Sequence, residues 1–316
     1  MYDVVSLGEA LIDFTMVSAD AGGYPTMAAH PGGAPANFLA ALTKFGASTA
    51  LITKVGNDSF GRMLLGTLKS AGIDTRGVIL ADDVFTTLAF VTLDAKGERE
   101  FSFARKPGAD TRIREEEIDW TLIDQTKVFH FGTLSLTDEP ARTATVKAVE
   151  YAKAGEKLIS FDPNLRRPLW KDMEQAREQM LWGLGMADVV KISDDEVKFL
   201  FDLEPEEGCE YIFQRFSTKL LFVTCGGEGC WYMNPVARGH ADSLKDIDIL
   251  DKTGAGDIFG GSAMYKILQS GKSPETLTEQ ELEEVARFAS VSAGLSATRA
   301  GGISSVPDMA EVLEKM

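Results

Sequence analysis

Cysteine is scarce in this 316-residue sequence. Cys209, Cys225 and Cys230 form no CxxC pair and leave an odd count, which excludes a disulfide framework and suits a reducing, cytoplasmic setting. Histidine is as sparse: His30, His130 and His240 are too scattered for a zinc site. Basic residues are outnumbered, 32 Lys and Arg against 48 Asp and Glu, for a net charge of −16. That balance excludes nucleic acid as a partner, because such binding needs a basic face, and equally excludes an anionic membrane surface. No apolar run approaches ~18 residues, so no membrane span is expected. The first residues, "MYDVVSLGEALIDF", lack a basic leader and carry Glu9 and Asp13 among the apolar positions, unlike a signal peptide. The Walker pattern GxxxxGK[ST] occurs nowhere. Internal repeats, low-complexity tracts and interdomain linkers are missing too.

What remains is an ordinary globular composition, 44% hydrophobic and 25% charged. A chain of this size buries roughly three quarters of its unfolded surface, enough for one large domain over residues 1–316. Compact runs rich in Val, Ile, Leu and Phe recur: "YDVVSLG", "TALITKVG", "KVFHFG", "KLISFD", "ADVVKI" and "KLLFVTCGG". Such runs suit strands buried on both faces. Helical patterns lie between them. "PANFLAALTKFG" stops at Gly46, "DSFGRMLLGTLKSAG" starts at Asp58 or Ser59 and stops at Gly72, "ARTATVKAVEYAKAG" closes at Gly155, and "DIFGGSAMYKILQSG" closes at Gly271. The alternation predicts βαβ units around a mostly parallel sheet. One region breaks the rhythm: "TTLAFVTL" and "EREFSFA" flank "DAKG", a hairpin signal with Phe101 and Phe103 on one face. It reads either as a small β flap over a site or as an antiparallel edge of the main sheet.

Chemistry concentrates in two glycine-rich stretches. In "LDKTGAGDIFGG", the small residues Gly254, Ala255 and Gly256 precede a helix pattern. Glycines let a ligand approach the backbone, and the first amides of a helix are unpaired and positive, which makes an anion site. Asp257 would repel an anion there. It makes sense facing a hydroxyl that loses its proton while a phosphoryl group arrives. The same letters also fit an ordinary helix-starting aspartate, or a GxGxxxG dinucleotide turn over Gly254, Gly256 and Gly260. In "HPGGAPANFLA", Gly32 and Gly33 permit close approach, and Asn37 offers donors and an acceptor to a polyhydroxyl ligand. Asp13, just past the first strand run, adds acceptance from two hydroxyls, unless it is a plain loop carboxylate.

The paired motifs resemble those of the PfkB (ribokinase-like) carbohydrate kinases, over essentially the whole chain. "GGAPANFLAALTKFGASTALITKVGNDSFG" looks like the family's N-terminal signature and "DKTGAGDIFGGSAM" like its C-terminal one. "GEALIDF", "FSFARKPGAD" and "SFDPNLRRPLW" most resemble bacterial fructokinases. The resemblance implies a three-layer α/β/α fold with a mostly parallel central sheet and a small β-sheet lid, near residues 14–32 and 84–112. It implies an ATP-dependent sugar kinase that makes fructose 6-phosphate from D-fructose, or acts on 2-keto-3-deoxygluconate, ribose or a nucleoside.

Carried over residue by residue, Asp257 is the catalytic base and the amides of Gly254, Ala255 and Gly256 form the anion hole. Asp13, Gly32, Gly33 and Asn37 hold the sugar. Arg105 and Arg166 reach over the sugar or the phosphates, as a guanidinium fork allows, or else form surface ion pairs. Lys191, Ser193, Thr224, Gly226, Gly229 and Ser290 lie on the nucleotide side. Glu196 arranges Mg²⁺ through water. Ser193 stands where the family usually has Asn. Asp251 and Thr253, with carbonyls in "TRAGGISS", match a monovalent-cation (K⁺) site of some relatives. Lys252 departs from the usual Thr, and its ammonium either weakens such a site or reaches a nucleotide phosphate. Lid strands in relatives pair between subunits, which implies a homodimer. Two rivals of other classes remain at this level: an NAD-linked oxidoreductase, separable by NADH and ATP binding, and a sugar-binding regulator that releases no ADP.

Overall fold

A computed structural model describes residues 1–93 and 99–316, without the side chains of 93 and 99–101. Among the described residues, thirteen strands form two sheets. In chain order they are β1 (Tyr2–Leu7), β2 (Leu11–Ala19), β3 (Pro25–Gly32), β4 (Thr49–Gly56), β5 (Val78–Ala81), β6 (Leu88–Leu93), β7 (Arg99–Ala104), β8 (Thr126–Gly132), β9 (Leu158–Asp162), β10 (Val189–Ser193), β11 (Leu220–Thr224), β12 (Cys230–Met233) and β13 (Arg238–Ala241). The main sheet runs β13-β12-β11-β10-β9-β8-β1-β4-β5. It is parallel from β11 to β5, and only β12 and β13 run antiparallel at one edge. All six predicted strand runs lie in its parallel part. Val4, Val5, Phe129, Phe131, Ile159 and Val190 are buried, as a sheet covered on both faces requires.

Helices cover the two faces. On one lie α1 (Ala34–Lys44) and α2 (Ser59–Ser70). The other receives α3 (Trp120–Asp124), α4 (Ala141–Ala154), α5 (Met173–Met186), α6 (Asp194–Phe201) and α7 (Pro205–Arg215), whose Leu122, Val149, Met180, Leu200 and Ile212 join one apolar core. The chain then returns to the first face with α8 (Ala255–Ser270), α9 (Glu279–Ser296) and α10 (Met309–Lys315). There Phe38, Leu64, Ile258, Phe288 and Val312 build the second core. Each large side chain so buried stabilises the fold by about 1.5–3 kcal/mol. The helix starts follow their caps: Asp58 accepts from the amides of Phe60 (2.9 Å) and Gly61 (2.8 Å).

The second sheet has the order β3-β2-β6-β7. β6 and β7 pair antiparallel from Leu88↔Ala104 to Leu93↔Arg99, so the predicted hairpin forms. Its turn "DAKG" (94–97) and the Phe101 side chain lie outside what the structure describes. The sheet stands apart from the main one, so the reading of the hairpin as a main-sheet edge is overturned; that antiparallel edge is β12–β13 instead. β2 and β3 carry no strong alternating pattern and were legible only through the family's lid. Phe14 fastens the small sheet to the body, stacked on Phe90 (5.2 Å) and edge-on to Phe60 of α2 (5.5 Å).

Candidate active site

β1 is flanked by β4 on one side and β8 on the other, so the chain leaves it in opposite directions. A crevice opens beyond the carboxyl ends of parallel strands at such a switch point. Here it holds a cavity of about 120 Å³ that takes Glu9 from the end of β1, Leu134 from the end of β8, and Asn164 and Arg166 from the end of β9. The small sheet adds Leu11, Asp13 and Phe103, and α1 adds Gly33, Ala34 and Asn37. Lys252, Thr253, Gly254 and Asp257 close it from the start of α8.

Local sequence explains the approach. Gly33 caps α1 at φ 112°, and a Cβ there would lie 2.5 Å from the Glu9 carbonyl oxygen. Only glycine fits. Glu9 in turn accepts the Ala34 amide at 3.0 Å, tying the end of β1 to the start of α1. Gly254 caps α8 at φ 77°, and a Cβ would lie 3.0 Å from Asn37 Nδ2. That closeness lets Asn37 Nδ2 donate to Asp257 Oδ2 at 2.9 Å, across 220 residues of sequence. The Ala255 amide donates to the Lys252 carbonyl at 3.3 Å. Among the described residues, the Gly254 and Gly256 amides have no such partner. Segment 247–250 before the turn is irregular, not a strand. The GxGxxxG motif therefore opens no strand–turn–helix unit of the dinucleotide-binding kind, and that reading is set aside.

Burial dominates the electrostatics. Desolvation raises the Asp257 carboxyl above its ordinary value, opposed by the Asn37 bond and by the charges of Lys191 and Arg166. Asp13 lies in β2, not in a loop, and its carboxyl is pushed up to about 7 by burial, with Arg166 opposing and Asp257 and Asp251 adding. Behind Asp257, the Lys191 ammonium stands 3.0 Å from Asp162 Oδ2, a buried pair between neighbouring strands β10 and β9. A Cβ on Gly256 would lie 3.0 Å from that ammonium. His130 stacks on Phe38 at 3.7 Å and is held neutral by burial, its pKa lowered to about 3.

A second cavity, of about 240 Å³, lies on the other side of the α8 start. It gathers Thr224, Gly226, Gly229 and Ser290 with Ala255 and Gly256. The β11–β12 turn at 226–228 is thus both a hairpin and a cavity wall. Lys191 does not line this space. It borders a small interior void with His130 and Asp162. Ser193 caps α6, and Glu196 accepts the Ser193 amide (2.9 Å) and the Leu165 amide (2.7 Å). Asp251 accepts from Thr253 N (3.0 Å), Thr253 Oγ1 (2.7 Å) and Gly301 N (3.0 Å), which fixes the turn that carries Gly254. Gly32 abuts Asp13: a Cβ there would lie 2.6 Å from Asp13 Oδ2.

Arg105 does not line the cavity; it lies behind the wall residue Leu134. Its Nε donates to Asp110 Oδ2 (2.8 Å), Nη1 to Thr137 Oγ1 (2.8 Å) and Nη2 to the Leu134 carbonyl (2.7 Å), all buried. It braces the base of the small sheet against the loop after β8. Arg105→Met leaves Asp110 buried without its cation, at an expected cost of about 3 kcal/mol. Urea unfolding reads this directly; an unchanged midpoint would contradict the bracing role. Glu9, Asp162 and Asn164 escaped the sequence reading as site residues. The signal was present in "GEALIDF" and "SFDPNLR", where polar residues follow buried strands.

A smaller pocket and a larger cavity meet at a helix start that presents amides and a carboxylate. That arrangement defines a phosphotransferase with an alcohol acceptor. The sequence matches the pfkB family carbohydrate kinase description over residues 1–309, and the chain belongs to that family. It is 42% identical to Fructokinase-1 of Oryza sativa subsp. japonica over 317 residues, 99% of this chain and 97% of that protein. Among solved structures it resembles the Xylella fastidiosa fructokinase with bound ATP (TM-score 0.90, 29% identity, 99% and 98% of the two chains). It also resembles the Vibrio cholerae O395 fructokinase in its fructose, ADP and calcium bound form (TM-score 0.85, 28% identity, 99% of both chains). No described helix is long and apolar enough to cross a membrane.

Proposed function

We propose that the chain transfers the γ-phosphoryl group of ATP to D-fructose, giving fructose 6-phosphate and ADP. The observation that carries the mechanism is the Asn37–Asp257 pair in a cavity that also holds Asp13. Asp257 takes the proton of the attacking hydroxyl as its oxygen bonds to phosphorus. The bridging oxygen leaves with its electron pair on ADP, and free amides at the α8 start receive the charge of the moving group. Asp13 and Asn37 hold the sugar hydroxyls; Asn37 Oδ1 is buried without a partner among the described residues, which suits a sugar O–H. Arg166 faces the same space. Fructose as the acceptor rests on the fructokinase relatives.

Mg²⁺ fits as an ion brought by the nucleotide. Among the described residues no group of three His, Cys, Asp or Glu could cage a metal, whereas Mg²⁺ commonly takes one or two carboxylates plus phosphates. Glu196 would order its water shell, and the ion would supply charge neutralisation on the phosphates. Asp251 and Thr253 are where K⁺ would act. The small sheet serves as the lid that excludes water from the transfer. Met16, Val17 and Tyr24 are exposed on it or its turn, which supports a homodimer joined there, readable by sedimentation. The three free thiols suit the cytoplasm.

The test is ADP release, coupled to a reporter, across fructose, ribose, 2-keto-3-deoxygluconate and a nucleoside. Fructose is expected to give a kcat/KM at least tenfold above the rest. A higher value with any other acceptor would replace fructose by that sugar.

A further inference from the structure

The donor cavity is almost without charge. Its walls are glycines, alanines, Leu244, Ile247, Ile249, Phe259 and hydroxyl residues. A polyphosphate entering it meets one charged side chain, Lys252. Lys252 also lines the acceptor cavity, where three acids, Glu9, Asp13 and Asp257, face one other cation, Arg166. It is thus the residue shared by both spaces, immediately before the amides of the α8 start. Many other lysines of this acidic chain are paired, as Lys54 is with Glu117, Lys191 with Asp162 and Lys266 with Glu284. Lys252 is exposed, and among the described residues its ammonium has no carboxylate or hydrogen-bond acceptor.

We infer that Lys252 is a catalytic residue: its ammonium binds the phosphoryl group in transit between the two cavities. The inference rests on the kinase reading above and names a further charge for its reaction. Three acids outnumber Arg166 there, so a γ-phosphate that arrives is repelled unless a further cation accompanies it. A compact ammonium on a four-carbon stem can follow the phosphorus from the ADP side to the sugar side. It forms and breaks no bond. It holds oxygens whose charge redistributes as the phosphorus–oxygen bond to ADP breaks and the bond to the sugar forms, while the hydroxyl proton passes to Asp257. Stabilisation of this kind acts on the transition state more than on sugar binding. Of the two alternatives its position allowed, reaching a phosphate is the one the cavity linings favour.

The test compares the parent with Lys252→Met, which keeps the length of the stem without the charge, and Lys252→Arg. Turnover with saturating ATP and fructose is expected to fall 10- to 100-fold in Lys252→Met, with the KM for fructose within about twofold, and to recover in part in Lys252→Arg. Calorimetry supplies a readout free of turnover: Lys252→Met should lose about tenfold more affinity for magnesium ATP than for magnesium ADP, since the two differ by the γ-phosphate. Turnover within twofold of the parent, or equal losses for ATP, ADP and fructose, overturns the inference. If the parent phosphorylates no fructose, the acceptor reading fails on its own, and the ATP-to-ADP comparison still decides the role of Lys252.

Discussion

Asp257→Asn is expected to lower turnover by about 10³-fold while the protein stays folded, on the scale of losing a positioned base. Asparagine matches the carboxylate in shape, so α8 and its Gly254 cap need not move. The site does not lack attraction for the sugar in this variant, and the KM for fructose should change little. What it lacks is an acceptor for the hydroxyl proton. The structure sharpens the expectation through pH. Burial raises the Asp257 pKa, against the opposing Asn37 bond and the charges of Lys191 and Arg166. A base must be ionised to act, so parent turnover should decline as pH falls through that raised value, above the ordinary aspartate range. The variant should lose this acid limb. Stopped-time ADP assays from pH 5 to 9, with circular dichroism as the control for folding, give both results. A folded variant within tenfold of the parent at pH 8 would remove Asp257 from the chemistry.

The sequence spoke most clearly where function and local structure share a cause. Gly254 is glycine because the α8 cap needs a positive φ and Asn37 leaves no room, and the same demand makes the turn look like an anion site. The six buried strands and the four helix patterns were legible because period and punctuation are local properties. Four things were not. β2 and β3 hide because only part of each is buried, so no clean alternation marks them. The spacing around Arg105 suggests a hand over the sugar or the phosphates but does not show its partners: Thr137 and Leu134 come from a loop about 30 residues on, and only the packing of the two sheets brings them near. The Asp162–Lys191 pair depends on β9 lying beside β10, a fact of topology that residue spacing does not contain. Glu9 belongs with these: its bond to the Ala34 amide spans the whole β2–β3 excursion.

Asp13→Asn should separate binding from stability in opposite directions. A carboxylate accepts from two hydroxyls at once, whereas asparagine offers one acceptor and one donor. Loss of a charged acceptor costs about 1.5–3 kcal/mol per bond, so kcat/KM for the sugar should fall by about 10²- to 10³-fold, mostly in KM. The sugar-free protein should behave the other way. Burial pushes the Asp13 pKa up to about 7, with Asp257 and Asp251 adding and Arg166 opposing. A raised carboxyl pKa means the folded state holds its proton longer than the unfolded chain does. The stability from that proton is fully present below the unfolded value near 4 and is lost as pH rises through about 7. Asparagine carries no such loss. Its advantage should therefore be absent below pH ~4, grow between pH ~4 and ~7, and level off above, worth roughly 1–3 kcal/mol, or a few degrees in Tm, by pH 8. Glu9, whose pKa burial also raises to about 7, titrates with the same sign and stays in both proteins, so it cancels in the comparison. Thermal unfolding of the two sugar-free proteins at pH 5 and pH 8, with fructose kinetics at pH 8, reads every part. A variant less stable than the parent at pH 8 would mean that the Asp13 carboxylate braces the fold. An unchanged KM would mean that the sugar lies elsewhere in the crevice, because an acid held at a cost in the empty protein should owe its place to what it binds.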